Sequence, residues 1–140
     1  MRVELGYPSR SAERNLLAVG GQRATAEQLA PVMAAMDLPT LQNEVAAIHA
    51  AEPLIDYVQA LIEATRQSPF FQHGLSPRAG LALLAAARSW AWLAGREMVL
   101  PDDVQAVFPA VVRHRLRSVQ GSGFASHEDA LGLIRSVAIP

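Results

Sequence analysis

Arg78 is the side chain with the clearest chemical potential in this chain. It closes the triplet Ser76-Pro77-Arg78 at the head of a long apolar run. A Ser caps a helix through its side-chain oxygen, and Pro suits the first helical position because its missing N–H would be unpaired there anyway. Arg78 therefore falls in a first helical turn, where the backbone carries partial positive charge and a cation costs about 0.3–1 kcal/mol. Free N–H groups and a guanidinium fork together suit an anion such as a phosphate. A solvated surface arginine fits the same pattern, so both readings stand at this point.

The other chemical candidates are weaker. His49, His73, His114 and His127 show no HExxH or comparable ligand spacing, and no metal site is expected. Asp102 and Asp103 are adjacent, so in a helix they point in different directions. Acids in a first turn, favoured by the dipole, explain them better than a catalytic pair does. No Ser–His–Asp order stands out. Arg113-His114-Arg115-Leu116-Arg117 is a basic cluster that either touches phosphates or forms the cationic end of a helix. A helix-turn-helix over Pro101–Leu116 would need a wider basic stripe than the sequence holds.

Bulk properties narrow the classes further. The 140 residues suffice for one domain, and 51% hydrophobic with 18% charged residues is a globular balance. A net charge of −1 gives no field favouring nucleic acid or an anionic membrane. There are no cysteines, which excludes disulfides, thiol catalysis and thiolate metal sites, and fits a reducing compartment. No signal peptide is read at Met1–Pro8, and the run Ala79–Ala87 is too short to span a bilayer. All twelve basic residues are Arg. A GxxxxGK[ST] phosphate loop needs a Lys, so this chain cannot build one, nor a Schiff-base lysine.

The elements that position Arg78 follow from periodicity. Residues 77–94 predict a central helix, apolar nearly all round and so buried, ended by Gly95. Trp90 and Trp92 point to different faces of it, one for the core and one for a neighbouring domain. Arg2–Leu5 alternates like the end of a strand, without a visible partner. Ser9 caps a helix to about Val19, with Ala12, Leu16, Leu17 and Val19 inward, stopped by Gly20-Gly21. Gln22–Asp37 predicts a loop with a helical turn, Thr25 heading a capping box and Pro31 interrupting it.

Thr40 is expected to cap a helix to about Ala50, and Pro53 to open one to Gln67, with Leu54, Ile55, Val58, Leu61 and Ile62 inward. Phe70 and Phe71 plug the following loop. Met98-Val99-Leu100 is extended, and Pro101 starts a helix that Pro109 breaks or restarts. Gln120–Gly123 is a flexible loop, and Ser126 caps a last helix to about Val137. The fold class is all-α, a bundle of six or seven helices without a sheet.

Ser76–Val104 (SPRAGLALLAAARSWAWLAGREMVLPDDV), with GYPSRSAERNLL before it, DYVQALIEATR between and VVRHRL after, resembles the C-terminal helical lid of MoxR-type AAA+ ATPases. The resemblance covers nearly the whole chain in order. It implies that residues 1–8 are the end of a core strand and a hinge, and 9–140 the lid. It places Arg78 at the family's sensor-2 arginine, a catalytic contact to the terminal phosphate of ATP, with Tyr7 and Pro8 bordering the nucleotide. It implies ATP and Mg²⁺ in the parent protein, on a core domain outside this chain. The implied partners are that core, neighbouring subunits of a ring and a client protein, with no nucleic acid or membrane, in the cytoplasm. The chain alone would be no enzyme. One departure is Leu100 before Pro101, where the family commonly has Thr or Ser; it loses a cap worth about 1 kcal/mol. The alternative is a self-contained helical interaction module without nucleotide dependence.

Overall fold

The computed structural model describes residues 1–20, 29–119 and 123–140. Its helices are α1 (Arg10–Val19), α2 (Leu38–Ala47), α3 (Glu52–Gln67), α4 (Pro77–Leu93), α5 (Pro101–Val112) and α6 (His127–Ser136). A 3₁₀ turn, Ala35–Asp37, leads into α2. Pairing in the extended links is limited to isolated bridges, such as His49 with Met98 and Phe71 with Ser118, among the described residues. The chain is all-α, as expected.

Helix α4 sits in the middle, touching α2, α3 and α5, with its widest contact on α5. It buries one stripe, Ala79, Gly80, Leu83, Ala87 and Ala91, at the three- and four-residue spacing of a helix face. Leu81 and Leu93 stay 71% exposed, so α4 is not enclosed all round. Helix α5 is the more deeply sunk, with Val104, Val107, Phe108, Pro109, Val111 and Val112 all buried. Trp92 is half-buried and donates its indole N–H to Glu44 at 3.1 Å, while Trp90 remains exposed.

Pro109 lies inside α5, which runs through it unbroken. A helical Pro costs about 3 kcal/mol from the lost hydrogen bond and ring clash. Here buried side chains on both sides of Pro109 hold the helix in place, and packing overrides the local preference. Thr40 likewise is not a cap; it lies in the first turn of α2, which starts at Leu38 with Asp37 before it. Along α3, Tyr57 and Thr65 are buried and Ile55 is 45% exposed, a small rotation of the expected face. Phe71 is buried and Phe70 faces out.

The N-terminal part departs most from expectation. Helix α1 forms with Ser9 as its cap, accepting from Ala12 N–H at 3.3 Å, and ends at Gly20 with φ 75°. Ala12, Leu16, Leu17 and Val19 are nevertheless exposed, because no described helix packs on α1. Arg2–Leu5 forms no strand; it lies on the surface with Arg2 N–H bonded to the Ala110 carbonyl at 2.8 Å. A strand needs a ladder neighbour, and none of the described residues supplies one. The Thr25 capping box and the loop at residues 120–122 lie outside the described residues.

Candidate functional site

The start of α4 is built from three local devices. Ser76 accepts the Ala79 N–H through its side chain at 3.3 Å, and Pro77 takes the first helical position. Upstream, Leu75 is held from both sides. Its N–H reaches Thr65 Oγ1 at 2.9 Å, and its carbonyl accepts from Arg66 Nε at 3.1 Å. Thr65 is itself buried and donates to the Ile62 carbonyl at 2.6 Å. Gly74 passes so close to α3 that a Cβ there would sit 2.5 Å from Arg66 Cα. The link into α4 is therefore fastened to the last turn of α3.

Arg78 projects from this fixed platform. It is exposed, and makes no hydrogen bond or ion pair with any described residue. Pro77 has no N–H and Ser76 takes those of Ala79 and Gly80, so the guanidinium and the Arg78 N–H are the donors left for a ligand. That suits an anion and offers no lone pair to a metal ion. Tyr7 and Pro8 lie in the exposed stretch before α1, and no hydrogen bond joins them to Arg78. Gly6, with φ 68°, turns the chain just ahead of them, a backbone conformation that favours Gly.

The start of α5 carries a device that sequence reading missed. Asp103 is 2% exposed and receives both guanidinium nitrogens of Arg96, as well as the Leu100 N–H at 2.8 Å. Burial alone would raise its carboxyl; Arg96 and the Leu100 N–H outweigh that and hold it below the usual carboxylate value. Asp103 thus supplies the one half of a capping box open to this helix, accepting the Leu100 N–H, and is anchored by Arg96 from the loop before it. Arg96 and Asp103 are seven positions apart, and the extended link 97–100, held by Val99 N–H on the His49 carbonyl at 2.9 Å, lies between them.

The basic cluster divides locally. Arg115 Nε donates to the Val111 carbonyl at 3.0 Å, a side-chain cap on the end of α5. Arg113 meets Glu4 at 3.5 Å, and the Arg117 guanidinium stands 5.5 Å over the Phe124 ring. These contacts favour the helix-end reading of the cluster. His114 is held below its ordinary value, chiefly by burial and then by Arg115. No group of three or more His, Cys, Asp or Glu gathers among the described residues, and no described helix is long and apolar enough to cross a membrane.

Comparison with known proteins places this geometry. The AAA lid domain family model matches residues 63–132. The chain is similar to chaperone MoxR1 of Mycobacterium tuberculosis, 37% identical over 124 residues, which cover 82% of this chain and 32% of that one. It is also similar to the uncharacterized protein YeaC of Bacillus subtilis, 36% identical over 115 residues, covering 82% of this chain and 36% of the relative. Protein MoxR of Methylorubrum extorquens is 37% identical over 108 residues, covering 67% of this chain and 32% of its own. A crystal structure of a candidate ATPase from Cytophaga hutchinsonii has the same fold. Its TM-score is 0.81 at 22% identity, over all of this chain and 46% of that one. The chain spans about a third of the length of the curated relatives it matches.

Proposed function

The chain belongs to the AAA lid domain family, as the C-terminal lid region of a MoxR-type AAA+ ATPase, and from that premise we propose that it senses bound ATP through Arg78. The observation that carries this is the exposed, unpartnered Arg78 guanidinium on a start of α4 that is tied to α3. ATP and Mg²⁺ would be bound by a core domain outside this chain, and would supply the terminal phosphate. Arg78 makes its charge-assisted contact only when the lid swings towards that core. Once the phosphate has left, Arg78 returns to water and the lid is released. A ligand shifts such an equilibrium only through differential contacts, and a pair made in the closed state alone is one.

In this reading Gly6 is the turning point of the hinge, and Tyr7 and Pro8 border the nucleotide. Arg2–Leu5 completes a sheet that the core supplies, and residues 9–140 are the moving lid. The bare apolar side chains Leu16, Leu17 and Val19 of α1 support a neighbouring surface that covers them, from the core or from the next subunit of a ring. Motion passed round that ring would drive chaperone-like assembly or activation of a client complex; the relative MoxR1 is named a chaperone.

The test is Arg78→Ala in the complete ATPase. Turnover is expected to slow about 10-fold or more, as for other lost contacts to developing charge. The fold should be unaffected, because Arg78 is exposed and makes no hydrogen bond or ion pair with a described residue. Unchanged turnover would overturn the sensor role and leave a helical interaction module that works without nucleotide.

A further inference from the structure

A concave groove lies between the C-terminal half of α3 and α6, with a volume of about 620 Å³. Phe71 and Leu133 give it an apolar interior, Phe70 forms a wall, and Glu128 and Asp129 stand at one end. Among the described residues no arginine lines it. Phe70 is 61% exposed, an aromatic left in water beside an apolar cleft. Its backbone is anchored. Its carbonyl accepts the Val119 N–H at 2.9 Å, and Gln72 N–H reaches the Arg117 carbonyl at 2.9 Å.

Gly132 is the second oddity. It lies inside α6, where Gly costs about 0.5–1 kcal/mol relative to Ala. Its backbone is not left-handed, and a Cβ would meet nothing within 4 Å. The fold therefore does not require a glycine there. What the missing side chain does is keep the groove open.

We propose that this groove docks a segment of a partner protein that carries adjacent apolar side chains flanked by Arg or Lys. The volume takes two or three aliphatic side chains, within the range of about 300–1,000 Å³ typical of ligand clefts. The acidic end selects a basic flank and repels nucleic acid and anionic membrane. Glu128 pairs with Arg135 at 3.0 Å through one oxygen, and Asp129 uses one oxygen for the Ser126 N–H at 2.7 Å. Each keeps a second oxygen without a partner among the described residues. This site is independent of nucleotide and stands whether or not Arg78 senses phosphate.

The probe is a short fluorescein-labelled peptide amide with a central Leu-Leu pair between arginines, titrated into the full chain by anisotropy. Saturable binding is expected, weakening as salt rises. Gly132→Leu should weaken it about 10-fold or more by filling the groove, and a peptide with glutamates in place of the arginines should lose as much. Phe70→Ser is the second variant, expected to weaken binding while the fold, followed by circular dichroism, is kept. Absence of saturable binding at about 1 mM peptide, or binding indifferent to Gly132→Leu and to Phe70→Ser, would overturn the proposal. Self-association of the chain that Gly132→Leu abolishes would overturn it in favour of a second copy as occupant. None of these readouts uses ATP, so their failure leaves the Arg78 reading untouched, and the reverse also holds.

Discussion

Replacing Asp103 by Ala tests the clamp that starts α5. The carboxylate is 2% exposed and accepts from Arg96 twice and from Leu100 N–H once. Hydrogen bonds to charged groups contribute about 1.5–3 kcal/mol, and breaking a buried ion pair costs about 3–5 kcal/mol. The Arg96 side chain is 32% exposed and regains some water when its partner is lost, which pulls the cost towards the lower figure. The expected loss for Asp103→Ala is about 3 kcal/mol, or about 6–12 °C in Tm for a chain of this size. Urea unfolding followed by far-UV circular dichroism measures it. Asp103→Asn should fall between, because its amide oxygen still accepts the Leu100 N–H. The effect also carries a pH signature. A carboxyl held below its unfolded value of 3.8 stabilises the fold above that pH, and the contribution disappears as pH falls through the lower folded value. Wild type and Asp103→Ala should therefore converge in strong acid. A difference below about 0.5 kcal/mol at neutral pH would refute the clamp and assign α5 to packing alone.

Two glycines give a contrast in the platform under Arg78. Gly74→Ala drives a Cβ against the Arg66 backbone and should cost about 1–3 kcal/mol, whereas Gly80→Ala meets only the flexible end of Ile62 at 2.5 Å and should be nearly neutral in the same unfolding assay. His114 predicts a second pH effect. Its folded value lies below 6.5, so the unfolded chain takes the proton first, and stability should decline as pH falls below 6.5 towards the folded value. His114→Gln should flatten that slope in urea midpoints measured across the range.

What could be read from the sequence was what local chemistry decides. Ser9, Ser76 and Ser126 cap helices as expected, each accepting an N–H three residues on. Gly95 ends α4, and the apolar spacing of Leu54, Val58 and Leu61 marks the inner face of α3. Sequence failed where a distant partner decides. Leu16 and Leu17 have the pattern of a core-facing stripe, yet no described helix lies beneath them; periodicity reports what a face can bury, not what is there to bury it. Pro109 reads as a break because a single sequence does not reveal the packing that holds α5 through it. The Arg96–Asp103 pair was hidden because its members fall in different elements, the link after α4 and the first turn of α5. Arg78 could be placed on its helix, but the chain cannot supply the phosphate that would separate a sensor from a surface arginine.

The rigidity of the Arg78 platform constrains where motion can occur. The link from Ser68 to Ser76 is tied at Phe70 and Gln72 to residues 117–119, and at Leu75 to Thr65 and Arg66. Gly74 leaves no room for it to slide along α3. Arg78 therefore cannot approach a phosphate by bending its own loop without breaking several of these bonds, each worth about 1 kcal/mol. Moving the whole helical body about a point outside it costs none of them. In the proposed lid reading Gly6 would be that point: it has positive φ, a Cβ there would meet nothing within 4 Å, and the upstream residues Arg2 and Glu4 hold the body by one backbone hydrogen bond and one exposed ion pair. A body stiff at the arginine and loose at the glycine is the arrangement a lever requires.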